Sequence, residues 1–216
     1  MALSDIKLIV FDLGRVLVQL CDGWRHACDV AGVRAPARDL DDAGKAAMHD
    51  VVCAHEVAAI DQAEFCRRAS ELLGLECEHV SAISDVYLRG IFPGATDLLR
   101  DLLAAGYQTA CLSNTNASHW QQMFHEREGI NLLPNDLLTH RFGSQELRLR
   151  KPDDAIYAHV ERATNLRGEQ IVFFDDLLDN ITAAQRRGWH AYQIEVGPDP
   201  VKQARKHLAS HRILVK

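Results

Sequence analysis

Four polar clusters, each attached to the end of an apolar run or the start of a helix pattern, are the parts of this sequence equipped for chemistry. They are Asp12 in FDLGRVL, Ser113 and Asn114 in CLSNTN, Lys151 in RLRKPD, and Asp175, Asp176 and Asn180 in FFDDLLDN. Carboxylates can attack an electrophile or hold a hard cation, while a hydroxyl, an amide and an ammonium can hold an anion. Charge counting narrows the chemistry. If the clusters converge on a phosphate dianion, Asp12, Asp175 and Asp176 face it with three further negative charges against the single ammonium of Lys151. Such a pocket repels its ligand. A hard divalent cation such as Mg²⁺ removes most of the excess, and backbone N–H groups and the Ser113 hydroxyl offset the rest. Taken singly, Asp12 reads as a turn or cap residue and Lys151-Pro152 as a helix start; their joint presence points to a site.

These clusters need a scaffold that brings distant stretches together. The runs IKLIVF (6–11), QTACL (108–112) and IVFF after Gln170 are short, apolar and rich in β-branched or aromatic residues, which predicts buried parallel strands. Helix-period segments lie between them: 95–105 closed by Gly106, 117–128 closed by Gly129, 153–164, and 178–187 closed by Gly188. Residues 190–195 alternate like another strand, and 199–209 predict a closing helix. This alternation implies an α/β fold with a doubly wound, Rossmann-like parallel sheet. From about Asp22 to Gly90 the strand signal disappears, and the stretch reads as four helices, one opened by Asp61-Gln62-Ala63-Glu64. The expected organisation is a core of residues 1–20 and 91–216 with an all-α helical cap at 21–90. The cap leaves after the first strand and returns before Phe92-Pro93-Gly94, so both connections are expected together at one sheet edge. The helices then form a lid over the carboxyl ends of the strands, where open α/β sheets bind ligands.

Composition excludes several classes. A chain of 216 residues exceeds one domain of about 150 by an insertion's length. With 30 acidic against 24 basic residues the net charge is −6, which argues against a nucleic-acid or anionic-membrane partner. The apolar runs are far shorter than the roughly 18 residues that span a bilayer, and the N-terminus lacks a signal-peptide pattern, so a cytoplasmic location is expected. Six cysteines without a C-x-x-C pair are expected to be reduced and to pack as small hydrophobes. His207 and His211 are four apart but lack the Glu of a zinc helix, and a solvated face is the better reading.

In chain order and placement, the four clusters resemble the motifs of the haloacid dehalogenase-like (HAD) hydrolase superfamily, and SQELRLRKPDDAIYAHV with VFFDDLLDN looks like its α-glucose-1-phosphate phosphatase subgroup. The resemblance implies that Asp12 attacks phosphorus to give an aspartyl-phosphate, that Ser113, Asn114 and Lys151 hold phosphoryl oxygens, and that Leu13, Gly14 and Arg15 border the substrate. It implies a Mg²⁺ bound by Asp12, the Gly14 carbonyl and Asp176, with Asp175 behind and Asn180, one turn beyond Asp176, orienting the acids. A competing register pairs Asp175 with Asp179. The expected substrate is a small phosphate ester, a sugar phosphate above all, and the expected state a monomer or weak homodimer.

The sequence departs from that pattern at Gly14, where most HAD phosphatases carry a second Asp as general acid and base, a group worth about 10²–10⁴ in rate. The protein then uses an easily released leaving group such as an anomeric oxygen, borrows an acid from the lid, or has lost turnover. Arg15 cannot be that acid, though it can stabilise a developing anion. Two alternatives follow: a metal-free dehalogenase-type hydrolase, against which the adjacent Asp175 and Asp176 argue, and an impaired phosphate-binding protein. In the insertion, Trp24, Arg25, His26, His49 and His55 are candidates for substrate selection.

Overall fold

Every side chain of β1 (Leu8–Phe11) is apolar and fully buried, so the strand can sit only where both faces of a sheet are covered. In the computed structural model, which describes residues 5–36, 38–124, 133–197 and 199–213, β1 is the middle strand of a five-stranded parallel sheet. It lies between β4 (Gln108–Ser113) and β6 (Ile171–Asp175), with β5 (His140–Gly143) beyond β4 and β7 (His190–Gln193) beyond β6. Ile9 and Phe11 join Cys111, Val172 and Phe174 under α5 (Ala95–Ala104) and α10 (Pro200–Ser210). Leu8 and Val10 join Ala110, Leu112 and Phe173 under α8 (Asp154–Thr164) and α9 (Leu178–Arg186). The sheet is thus doubly wound. The glycine stops hold where a left-handed residue must end a helix: Gly106 at φ 88° after α5 and Gly188 at φ 82° after α9. The expected helix at 117–128 is seen as α6 (Ala117–Phe124); its remainder and the Gly129 stop lie outside the described residues.

Four helices fill the stretch without strand signal: α1 (Gly23–Ala31), α2 (Asp42–Glu56), α3 (Gln62–Leu73) and α4 (Cys77–Asp85). Asp61 caps α3 by accepting from the Glu64 N–H at 2.9 Å, as its sequence predicts, and Asp41 caps α2 through Gly44 at 2.8 Å. Their apolar faces form two small clusters of their own, around Cys28 and Ile83 and around Ala69 and Val80. The helices are joined to the sheet through two short strands absent from the sequence reading, β2 (Val18–Leu20) and β3 (Leu88–Ile91), paired antiparallel. Strands of three and four residues are too short to show a period. This ribbon corrects the expected edge position: the insertion springs from the end of the central strand, and both its connections run side by side there. β5 was also missed, since HRFG has neither alternation nor an apolar run. Among the described residues no helix is long and apolar enough to cross a membrane.

Candidate active site

Parallel pairing delivers the polar strand tails to one place. Phe11 is level with Cys111 on one side and Phe174 on the other, so Asp12, Ser113 and Asp175 emerge at the same end of three adjacent strands. The Asp12 N–H continues the ladder by donating to the Phe174 carbonyl at 2.8 Å. Lys151 comes from the segment between α7 (Ser144–Leu147) and α8. Its ammonium, 1% exposed, lies 3.0 Å from Asp12 Oδ1 and 2.6 Å from Asp175 Oδ2.

Three acids share that end with one buried ammonium. Burial raises the Asp12 carboxyl to about 7; Lys151 opposes the rise, and Asp175 and Asp176 add to it. Burial would lower the Lys151 pKa, but the Asp12 and Asp175 carboxylates hold it up at about 12. Asp176 is raised by burial and by Asp175, against Lys151 and Arg15. Each acid offers an oxygen within 4.8 Å of the other two. Among the described residues no donor meets Asp12 Oδ1 in hydrogen-bond geometry, Lys151 approaching it as an ion pair. A clustered set of carboxylate oxygens, two of whose acids are raised by burial and by one another against a single ammonium, is what a hard divalent cation relieves. The residues present fit Mg²⁺.

Two expected roles, one from spacing and one from the resemblance, come out differently. Asn180 was expected to serve Asp176; instead its amide donates to both Asp175 oxygens, at 2.9 and 3.0 Å, and the Leu177 N–H adds a third bond at 2.8 Å. The rule that residues four apart share a face holds only inside a helix, and α9 begins at Leu178, after both acids. Asp179, the competing partner, is exposed. Asn114 was expected on phosphoryl oxygens, yet its amide is engaged twice by Lys151, donating to the carbonyl at 2.9 Å and accepting from the N–H at 2.8 Å. It fixes the backbone that carries the ammonium.

Around the turn after β1, the Leu13 side chain is buried and its carbonyl accepts from the N–H groups of Leu17 and Val18. A Cβ on Gly14 would stand 3.0 Å from Leu20 Cδ1, so a carboxyl there requires Leu20 to move. Arg15 is left-handed at φ 61° and sends its guanidinium to 3.9 Å from Asp176 Oδ2. Ser113 lines the inner end of a cavity of about 390 Å³ shared with Gly14 and the inserted helices. Of the five insertion residues singled out, Trp24 and His55 line it. Arg25 pairs with Asp39 at 2.6 Å, His26 accepts from the Asp22 N–H and His49 meets Cys53. Arg148, Arg150 and Lys151, close in sequence, form no continuous basic patch, because Lys151 is buried and Arg150 pairs with Glu56 at 3.1 Å.

His55 stacks on Phe65, ring centroids 4.5 Å apart. Burial and the neighbouring His119 push its pKa down to about 4, with Asp61 opposing. Below pH 6.5 the unfolded chain therefore gains a proton that the folded chain refuses, and stability present above that pH is lost as pH falls towards 4. Urea denaturation is expected to show about 2 kcal/mol lost at this residue between pH 7 and 5, a loss that His55→Phe removes. Equal pH slopes in wild type and variant would contradict it.

A family model described as haloacid dehalogenase-like hydrolase matches residues 6–188. A sesquiterpene phosphatase of Aspergillus oryzae is 26% identical over 187 residues, 86% of this chain and 88% of its own. A HAD family enzyme of Bacteroides thetaiotaomicron superposes with a TM-score of 0.73 at 25% identity, over 90% of this chain and 96% of that one. An Asp-to-Ala variant of that enzyme, in complex with magnesium and inorganic phosphate, superposes with a TM-score of 0.69 at 25% identity over the same shares. A family match of this length, on a fold that superposes on solved members, places the chain in the haloacid dehalogenase-like hydrolase family.

Proposed function

We propose that this hydrolase is a Mg²⁺-dependent phosphatase that cleaves phosphomonoesters through a phosphorylated Asp12. The observation that carries the reading is the grouping of Asp12, Asp175 and Asp176 within 4.8 Å, with Lys151 bridging two of them. A metal-free halide displacement gains nothing from two further anions beside its nucleophile, which disfavours the dehalogenase alternative. The similarity to a phosphatase, and to an enzyme studied with magnesium and phosphate, supports the same reaction.

Asp12, Asp176 and the Gly14 carbonyl would hold the cation, with Asp175 and Asn180 behind them. Bound there, Mg²⁺ supplies charge neutralisation and orientation for the phosphoryl oxygens. An Asp12 carboxylate oxygen attacks phosphorus, the ester P–O bond breaks, and the leaving oxygen takes a proton from solvent water. Water then attacks phosphorus, breaks the bond to Asp12 and releases inorganic phosphate. Lys151 holds Asp12 and a phosphoryl oxygen, Ser113 a second one, while Asn114 and Asn180 keep Lys151 and Asp175 in place. Gly14 supplies no proton. Among the described residues lining the cavity the carboxyl group is that of Glu56, whose pKa burial raises against its partner Arg150. Residues 21–90 act as a cap that excludes water, over a core of 1–20 and 91–216.

Phosphate release from p-nitrophenyl phosphate is expected to require Mg²⁺ and to stop on addition of EDTA. Turnover that persists without a divalent cation removes the mechanism. Binding of Mg²⁺ and phosphate with no turnover on any ester would favour the impaired phosphate-binding reading that Gly14 motivates.

A further inference from the structure

The cavity leading from Ser113 and Gly14 is walled mainly by side chains that cannot hydrogen-bond. Leu20, Val52, Phe65, Leu73 and Ile83 line it together with the Trp24 ring, which carries an indole N–H, drawn from the ribbon and from all four inserted helices. Its volume of about 390 Å³ is that of a site that buries most of a small organic ligand.

Most of the polar groups along the wall are already engaged. Asn116 accepts from the His119 N–H at 2.9 Å and its amide nitrogen faces the His119 ring, whose far nitrogen lies 2.9 Å from the Ser84 carbonyl. The Asn114 amide is spent on the Lys151 backbone, and Glu56 on Arg150. His55 lies flat on Phe65, a contact that leaves its ring nitrogens one donor and one acceptor. Burial lowers the pKa of both His55 and His119, which disfavours their imidazolium forms. The hydroxyls of a sugar would enter this space and find few free partners, and each buried hydroxyl left unpaired costs a ligand roughly tenfold in affinity.

We infer that the esters this protein hydrolyses join the phosphate to an apolar hydrocarbon group that fills the cavity between the strand ends and the inserted helices. This replaces the sugar phosphate expected from sequence, and it rests on the phosphatase reading above. The phosphoryl end lies among Asp12, Lys151 and Ser113, and the hydrocarbon displaces water from the wall between β2 and α4. Affinity then comes from area removed from water, which makes it a function of chain length.

Two series measured with Mg²⁺ present test this. The first is calorimetric binding of n-alkylphosphonates, which resist hydrolysis. The second is kcat/KM for 4-alkylphenyl phosphates, whose leaving groups keep nearly the same acidity as the chain grows. Each added methylene is expected to improve Kd and kcat/KM by about fourfold until the cavity is full, with a negative heat-capacity change on binding. Ala69, buried on α3 and lining the cavity, sets that limit: Ala69→Phe is expected to stop the gain at a shorter chain. Should Ala69→Phe fail to fold, the wild-type series alone decides. Flat series, or glucose 1-phosphate turned over faster than every alkyl ester while p-nitrophenyl phosphate is cleaved, overturn the inference and leave the phosphatase reading standing. Chain-dependent phosphonate binding with no ester cleaved at all overturns the phosphatase reading and keeps the apolar ligand site.

Discussion

Asp12→Asn is expected to lower kcat by about five orders of magnitude or more, to the background of the assay, because no other carboxylate can take its place. Asp175 has both oxygens committed, to Lys151, Asn180 and the Leu177 N–H, and Asp176 stands beside Arg15. The same substitution is expected to stabilise the metal-free protein. With its folded pKa raised to about 7, the Asp12 carboxyl gives up its proton more readily in the unfolded chain, so stability is lost as pH rises from about 4 to 7. An amide has no proton to surrender, and at pH 7 the variant should gain about 1–3 kcal/mol in urea denaturation with EDTA present. Addition of Mg²⁺ should narrow the gap, since the cation binds the ionised wild-type site. Steady-state assay, with acid-quench trapping of a phosphorylated protein, reads the first effect. Activity within tenfold of wild type would mean that another group attacks phosphorus.

Lys151→Met is expected to be the most damaging single change to the fold as well as a severe one for activity. The ammonium is buried between Asp12 and Asp175, and Met nearly matches its length without its charge. Breaking a buried pair from one side leaves uncompensated carboxylates and costs about 3–5 kcal/mol. In a chain of this length that corresponds to a Tm lower by roughly 10 °C. Activity should fall about 10³-fold, the scale for losing a preorganised donor to developing charge. A Tm within a degree or two of wild type at pH 7 would show that the ammonium does not hold the strand ends together.

Much of the scaffold was legible because its physics is local. A parallel strand buried on both faces has to be an apolar run, and β1 and β6 announce themselves that way. A helix that ends before a left-handed residue favours glycine, and Gly106 and Gly188 supply it. The Asp61 cap reads directly from four residues. What could not be read were elements whose stability comes from neighbours. β2, β3 and β5 are edge or ribbon strands of three or four residues, the last two with Gly and Arg in them, and pairing partners rather than composition make them strands.

The amino-acid sequence by itself determined which chemical groups the protein owns and at which strand ends they emerge, because a polar residue that closes an apolar run has nowhere to go but the sheet's rim. Only the tertiary structure decided which group each one serves. Asn180 turns to Asp175 and Asn114 to Lys151 because strand-to-helix turns aim side chains by packing, not by residue count. The same holds for the ligand cavity. Its wall is assembled from no more than a few residues each of β2 and the inserted helices, and until those helices pack, Val52, Phe65 and Ile83 look like any other core positions.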